Sequence, residues 1–306
     1  MAGYKLATYQ SMQGPRAGIV VDESVFDAAE LTGQATYASV LGILEDWHRA
    51  QDSVKGALQK RAPELKAMPL VQTKLRAPIL WPSAIYCAGA NYSDHAAEMA
   101  RRANRPEEPN PKTLGLKPWH FIKASRSLAD PEATVQAAHY TQKLDWEVEL
   151  AVVIGKNASY VDEAHALDHV AGYALHNDYS ERAFQLERGG QWVKGKSCDT
   201  FAPIGPFLAT ADEVADPQAL GMWLTVNGKT YQKGTTANMI FDVRTLVSYC
   251  SQFMTLLPGD VISTGTPAGV GLGIKPDPVF LKAGDVVELG IDGLGTQRQA
   301  VKAYPG

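Results

Sequence analysis

The stretch LDWEVELAVVIG, residues 144–155, decides the reading of this chain. Side chains alternate faces along a strand, so Asp145, Glu147 and Glu149 share one side and Trp146, Val148, Leu150 and Val152 the other. Past Glu149 the run is apolar on both faces, which predicts a strand entering a core. Like charges at this spacing repel, and burying them unpaired costs on the order of several kcal/mol each. A divalent cation removes the conflict, and hard oxygen ligands favour Mg²⁺, Mn²⁺ or Ca²⁺ over zinc. The competing reading is a solvent-facing strand with its acids outward.

Downstream, AGYALHNDYSERAFQ (171–185) reads as a strand ending at Asp178, with a helix starting near Ser180. Strand ends that open into loops commonly carry ligands. Arg182 and Gln185 are three apart and share a helix face close to Asp178. Alternatively, Asp178 or Ser180 merely caps the helix. His176, two residues before Asp178, can point the same way and is a further candidate metal ligand. In GKSCDTF (195–201), Lys196 sits among small residues where an ammonium can reach a bound anion; the plain alternative is an exposed lysine. ISTGTPAGVGLG (262–273) offers the Thr264 and Thr266 hydroxyls and approachable backbone N–H groups, but has no Gly-Lys-Ser/Thr ending expected of a nucleotide loop. Upstream, DHAAE (94–98) puts His95 and Glu98 on one helix face, the arrangement of a general base and its orienter, or of a surface ion pair.

The wider chain limits what this cluster can serve. At 306 residues it can bury a sizeable core in about two domains. A net charge of −4 with no run of Lys or Arg gives no nucleic-acid footprint. No apolar run approaches the roughly 18 residues of a membrane span, and the start lacks a basic segment followed by an apolar one. Three scattered cysteines, Cys87, Cys198 and Cys250, suggest buried hydrophobes in a reducing, cytoplasmic setting.

Loose alternation over 4–10 and 17–28 around a Gly-Pro turn predicts a small antiparallel pair, and the spacing over 37–61 predicts a helix. Prolines at 63, 69, 78 and 82 place a boundary near residue 75, separating a small N-terminal α/β part (1–75) from a catalytic part (76–306). There, strand-like runs at 84–88, 119–123, 170–176, 222–227, 260–264 and 286–291 outnumber helical patches at 180–187 and 240–253. Residues 105–117 read as an exposed segment. Without βαβ alternation, this predicts an α+β fold with a curved mixed sheet.

Taken in order, CAGANYSDHAAEM, KPWHFIKASRSL, LDWEVELAVVIGK, HNDYSERAFQ, GKSCDTFAPIGP, VNGKTYQ and PGDVISTGTPAGVG resemble the fumarylacetoacetate hydrolase family, in its shorter acylpyruvase-like branch, from about residue 80 onward. The resemblance implies a mixed β-sandwich roll in a homodimer. It implies Glu147, Glu149 and Asp178 as ligands of Mg²⁺ or Mn²⁺, His95 and Glu98 as a catalytic dyad on a segment that orders over the substrate, and Lys196 as a catalytic cation. Arg182, Gln185 and Thr266 fall where the family contacts substrate oxygens, and Asp145 matches a recurring acid with no ligand role. Asn91 departs from the larger members, which carry another acidic ligand there. Residues 101–116 are longer than in the smallest members and belong with the lid.

The implied activity is cleavage of a C–C bond in a small 2,4-dioxo acid such as an acylpyruvate or fumarylpyruvate, with the metal and Lys196 stabilising the leaving enolate and His95 activating water. The same centre could instead serve an isomerase or decarboxylase of unsaturated 2-oxo diacids. The rival from another class is a metal-binding scaffold without turnover. The dyad and the anion-contacting residues speak against it.

Overall fold

Strand Val148–Ile154 lies inside an eleven-stranded mixed sheet of the computed structural model, which describes residues 3–304. Val170–Asn177 and Val261–Ser263 flank it, both antiparallel; Ile85–Gly89 then joins in parallel and Trp119–Lys123 closes that edge. Every residue of Val148–Ile154 and Val170–Asn177 is buried, as double-sided apolar patterning requires.

The two faces of Val148–Ile154 enter different cores. Val148, Leu150, Val152 and Ile154 pack with Leu224, Val287, Leu289 and Val301 of a second, five-stranded sheet. Ala151 and Val153 pack with Leu31, Ile43, Leu44 and Val54 of the N-terminal helical region. Each fully buried Leu or Val contributes about 1.5–3 kcal/mol, so both cores bind the strand firmly. Glu147 and Glu149 open the second face; Ala151 and Val153 continue it.

The N-terminal part extends this sheet. Lys5–Ser11 pairs with Gly14–Val21 and, through Lys5 and Leu6, with Ala209 and Leu208. The boundary expected near residue 75 falls in Leu75–Arg76, which pairs with Thr8 and Tyr9. Backbone pairing thus runs unbroken from the N-terminal strands to the strands beside Glu149.

Several elements differ from the sequence expectation. The run 144–155 is two strands, Leu144–Asp145 and Val148–Ile154, because the amides of Glu147 and Val148 donate to the side-chain oxygens of Asn177 and Gln232. The helix over 37–61 is a 3₁₀ turn (Ala35–Ala38) and two helices, Val40–Glu45 and Trp47–Lys60. The run 17–28 splits between Gly14–Val21 and Ser24–Asp27, and Gly14-Pro15 begins a strand rather than forming the turn. The helix expected from Ser180 is Arg182–Leu186, capped by Glu181, whose carboxylate accepts from the Phe184 amide at 2.6 Å; neither Asp178 nor Ser180 is its cap. Among the described residues, no helix is long and apolar enough to cross a membrane.

Candidate active site and metal centre

Glu147, Glu149 and Asp178 are buried and bring one oxygen each within 4.8 Å of the others. Their partners differ. Lys196 Nζ lies 2.7 Å from Glu147 and 2.6 Å from Asp178. Lys123, fully buried, donates to Asp178 at 2.5 Å and to the Tyr179 carbonyl at 3.1 Å. Arg182 bridges Asp145 at 2.8 Å and Glu147 at 2.6 Å. Glu149 forms no ion pair with a Lys or Arg among the described residues. It accepts from the Ser263 hydroxyl at 2.5 Å and the Gly265 amide at 2.9 Å. Gly265 has φ +96°, a conformation that suits glycine and presents this amide.

Burial, then the neighbouring charges of Asp178 and Glu147, pushes the Glu149 carboxyl well above the usual carboxylate range. Burial presses Asp178 upward as well, but Lys123 and Lys196 outweigh it and hold that carboxyl below its usual range. For Lys196, burial favours the neutral amine, while Asp178 and Glu147 prevail and raise its pKa. Four buried carboxylates (Asp145, Glu147, Glu149, Asp178) therefore face three cations (Lys123, Arg182, Lys196), with the deficit at Glu149. An all-oxygen set short of one positive charge fits a hard divalent cation.

His95 and Glu98 lie on the helix Ser93–Arg102, with Nδ1 of His95 3.0 Å from Glu98. The other Glu98 oxygen accepts from the Gly269 amide at 2.8 Å, tying the helix to the 262–273 loop. His95 shares a cleft of about 200 Å³ with Glu147, Glu149, Arg182, Gln185 and Lys196, room for a small acid rather than a nucleotide.

The remaining candidates fall into place around this cleft. Gln185 accepts from Arg182 at 3.0 Å. Thr266 lines the cleft, but its hydroxyl already donates to the Val148 carbonyl and accepts from Gln232. Asp145 stands off the cluster of Glu147, Glu149 and Asp178, gripped by Arg182 and the amides of Gly271 and Leu272. Asn91 is spent on the backbone of Phe241 and Thr264. His176 is opposite Glu149 across the strand pair and contacts the Ser263 hydroxyl at 2.6 Å through Nδ1. Burial, reinforced by Lys123 and Lys196, lowers its pKa to about 3 against the pull of Asp178, so it is neutral at physiological pH. Sequence reasoning missed Lys123 and Ser263. For Lys123 a signal existed: alternation in Trp119–Lys123 puts it on the same inward face as Phe121.

A buried carboxylate cluster that could hold a divalent metal thus lies by a cleft shared with a glutamate-oriented histidine, on an α+β sheet scaffold. Residues 84–302 match the family model described as fumarylacetoacetate (FAA) hydrolase C-terminal, and the chain belongs to the fumarylacetoacetate hydrolase family. It is 50% identical over 249 residues to a Burkholderia cenocepacia protein provisionally named a hydrolase, covering 81% of this chain and 84% of that one. Maleylpyruvate hydrolase from Sphingobium sp. SYK-6, solved with manganese(II) and pyruvate, superposes with a TM-score of 0.76 at 31% identity, covering 98% of this chain and 99% of that one. The 2-hydroxyhepta-2,4-diene-1,7-dioate isomerase from Mycobacterium marinum superposes at 0.73 with 29% identity, covering 99% and 100%.

Proposed function

We propose that this protein is a divalent-metal-dependent hydrolase that cleaves a C–C bond in a small 2,4-dioxo acid, working as a cytoplasmic homodimer. The observation that carries the reading is the shared cleft: Glu147 and Glu149, two of the three clustered carboxylates, line one small cavity with an oriented histidine.

Glu147, Glu149 and Asp178 would hold Mg²⁺ or Mn²⁺. When bound, the ion supplies Lewis-acid polarisation of the substrate's oxo-acid end and a counter-charge for the enolate. With the ion bound and Glu149 ionised, four carboxylates would face three cations and a divalent charge, leaving one net positive charge that suits an anionic substrate. Arg182 and Gln185 orient the substrate's oxygens. With Nδ1 of His95 committed to Glu98, Nε2 is the nitrogen left to take a proton from water. The hydroxide so formed adds to the distal carbonyl. The bond between that carbon and the central CH₂ then breaks, its electron pair passing to the pyruvate enolate. Protonation of the enolate completes one carboxylate and one pyruvate per water consumed. Lys196, beside Glu147 and Asp178, contributes fixed positive charge toward the enolate.

The test is loss of acetylpyruvate enol absorbance with the purified protein in Mg²⁺ or Mn²⁺, after chelation, and after metal return. The expected result is acetate and pyruvate formed only with metal present; intact acetylpyruvate with metal-loaded protein contradicts the reading. An isomerase of unsaturated 2-oxo diacids is the second reading, supported by the near-equal likeness to the Mycobacterium marinum isomerase. It requires proton transfer without an attacking water.

A further inference from the structure

The lining of the cleft is of two chemical kinds. Glu147, Glu149, Arg182, Gln185 and Lys196 supply its polar groups, and Phe121, Trp192, Met99, Leu186 and Leu272 line it with apolar ones. Trp192 packs edge-on against Trp119, with ring centroids 4.3 Å apart, and lies 5.3 Å from Phe121. This wall is built into the chain. Gly89 leaves room for it, because a Cβ at that position would lie 2.2 Å from the Trp119 ring. Phe121 faces inward beside Lys196, whose Nζ is 5.1 Å from its ring centre.

The cleft has no cation to spare. Arg182 and Lys196 are the only lysine or arginine among the described residues lining it, and both are held by carboxylates. The remaining basic group, His95, holds Glu98 through Nδ1, and its Nε2 is the nitrogen that the proposed hydrolysis uses. A second carboxylate seated against the apolar side chains would find no free lysine or arginine to offset the loss of its water. A phenyl or other apolar group would find the two rings of Phe121 and Trp192.

Resting on the proposed hydrolase reading, we infer that the substrate is a monocarboxylic 2,4-dioxo acid whose acyl group is apolar, aromatic foremost, and that diacids are disfavoured. The preference belongs to Trp192 and its neighbours and is independent of the bond-breaking step.

The test is therefore a binding measurement. Phenylpyruvate and 2-oxoglutarate share the 2-oxo acid head and differ in an aromatic against a carboxylate tail. Titrated calorimetrically into the Mn²⁺-loaded full chain, phenylpyruvate is expected to bind at least about tenfold more tightly. Trp192→Ala should remove most of that ratio, and Leu186→Arg, at an exposed position on the apolar wall, should shift it toward 2-oxoglutarate. Equal or tighter binding of 2-oxoglutarate, binding of neither acid, or a ratio unmoved in both variants would overturn the inference. Loss of acetylpyruvate hydrolysis with the binding preference intact would sink the hydrolase reading alone.

Discussion

The floor of the cleft and the helix beside it are built in opposite ways. The floor is carried on fully buried strands, and each of its carboxylates has at least two protein partners. The helix Ser93–Arg102 has no buried residue, and its dyad is tied to the loop opposite by one amide, that of Gly269. The floor is thus formed before substrate arrives, while the proposed base, His95, sits on an element with fewer ties, the kind that local opening selects. Metal holding and proton transfer should then be separable by mutation.

The largest expected break lies in the floor. Lys123→Met leaves Asp178 with one buried cation instead of two, and should destabilise the fold by about 3–5 kcal/mol, read by urea denaturation. An unchanged midpoint would mean that Lys123 is not what steadies Asp178. On the other side, His95→Ala should lower kcat/KM on acetylpyruvate by about 10²–10⁴. Its urea midpoint should stay near wild type, since the helix that carries His95 has no fully buried residue.

Glu149→Gln sharpens the comparison because two effects should take opposite signs. Removing the one carboxylate without an ion pair should raise the melting temperature of the metal-free protein while weakening Mn²⁺ binding by about 10- to 100-fold or more. The cause is the same desolvation and like-charge repulsion that lift its pKa. A lower melting temperature without metal would show that Ser263 and Gly265 compensate the buried charge fully.

The smallest effect is a pH slope. His176 has a folded pKa of about 3, below the ordinary histidine value, so between about pH 3 and pH 6.5 the unfolded chain binds a proton that the folded chain does not. Stability therefore rises with pH across that window and falls toward acid. Replacing His176 with Asn should remove about 1.4 kcal/mol per pH unit of that slope, measured by urea denaturation from pH 4 to 6. An unaltered slope would mean that His176 protonates within the fold.

The two regions also differed in how far the sequence revealed them. Period-two alternation was enough to bring Glu147 and Glu149 together, and i,i+3 spacing was enough for His95 and Glu98, because both signals are local. What escaped was set by distant partners. The break at Trp146-Glu147 comes from Asn177 and Gln232, 30 and 84 residues away from the amides they accept. Lys123 acquires its meaning from Asp178, 55 residues on, and Ser263 from Glu149, 114 residues back. Asp145 shares the alternation of Glu147 and Glu149, yet the strand break turns it to Arg182 and the 271–272 amides. The N-terminal strands join the main sheet through Leu208–Thr210, three residues too short to stand out as a strand in the sequence.

The most direct test of this division is a Mn²⁺ titration and an acetylpyruvate assay run side by side on His95→Ala. The account predicts Mn²⁺ affinity within about threefold of wild type, as for sites without shared partners, together with loss of hydrolysis. Wild-type hydrolysis in that variant, or loss of Mn²⁺ binding with the base, would contradict it.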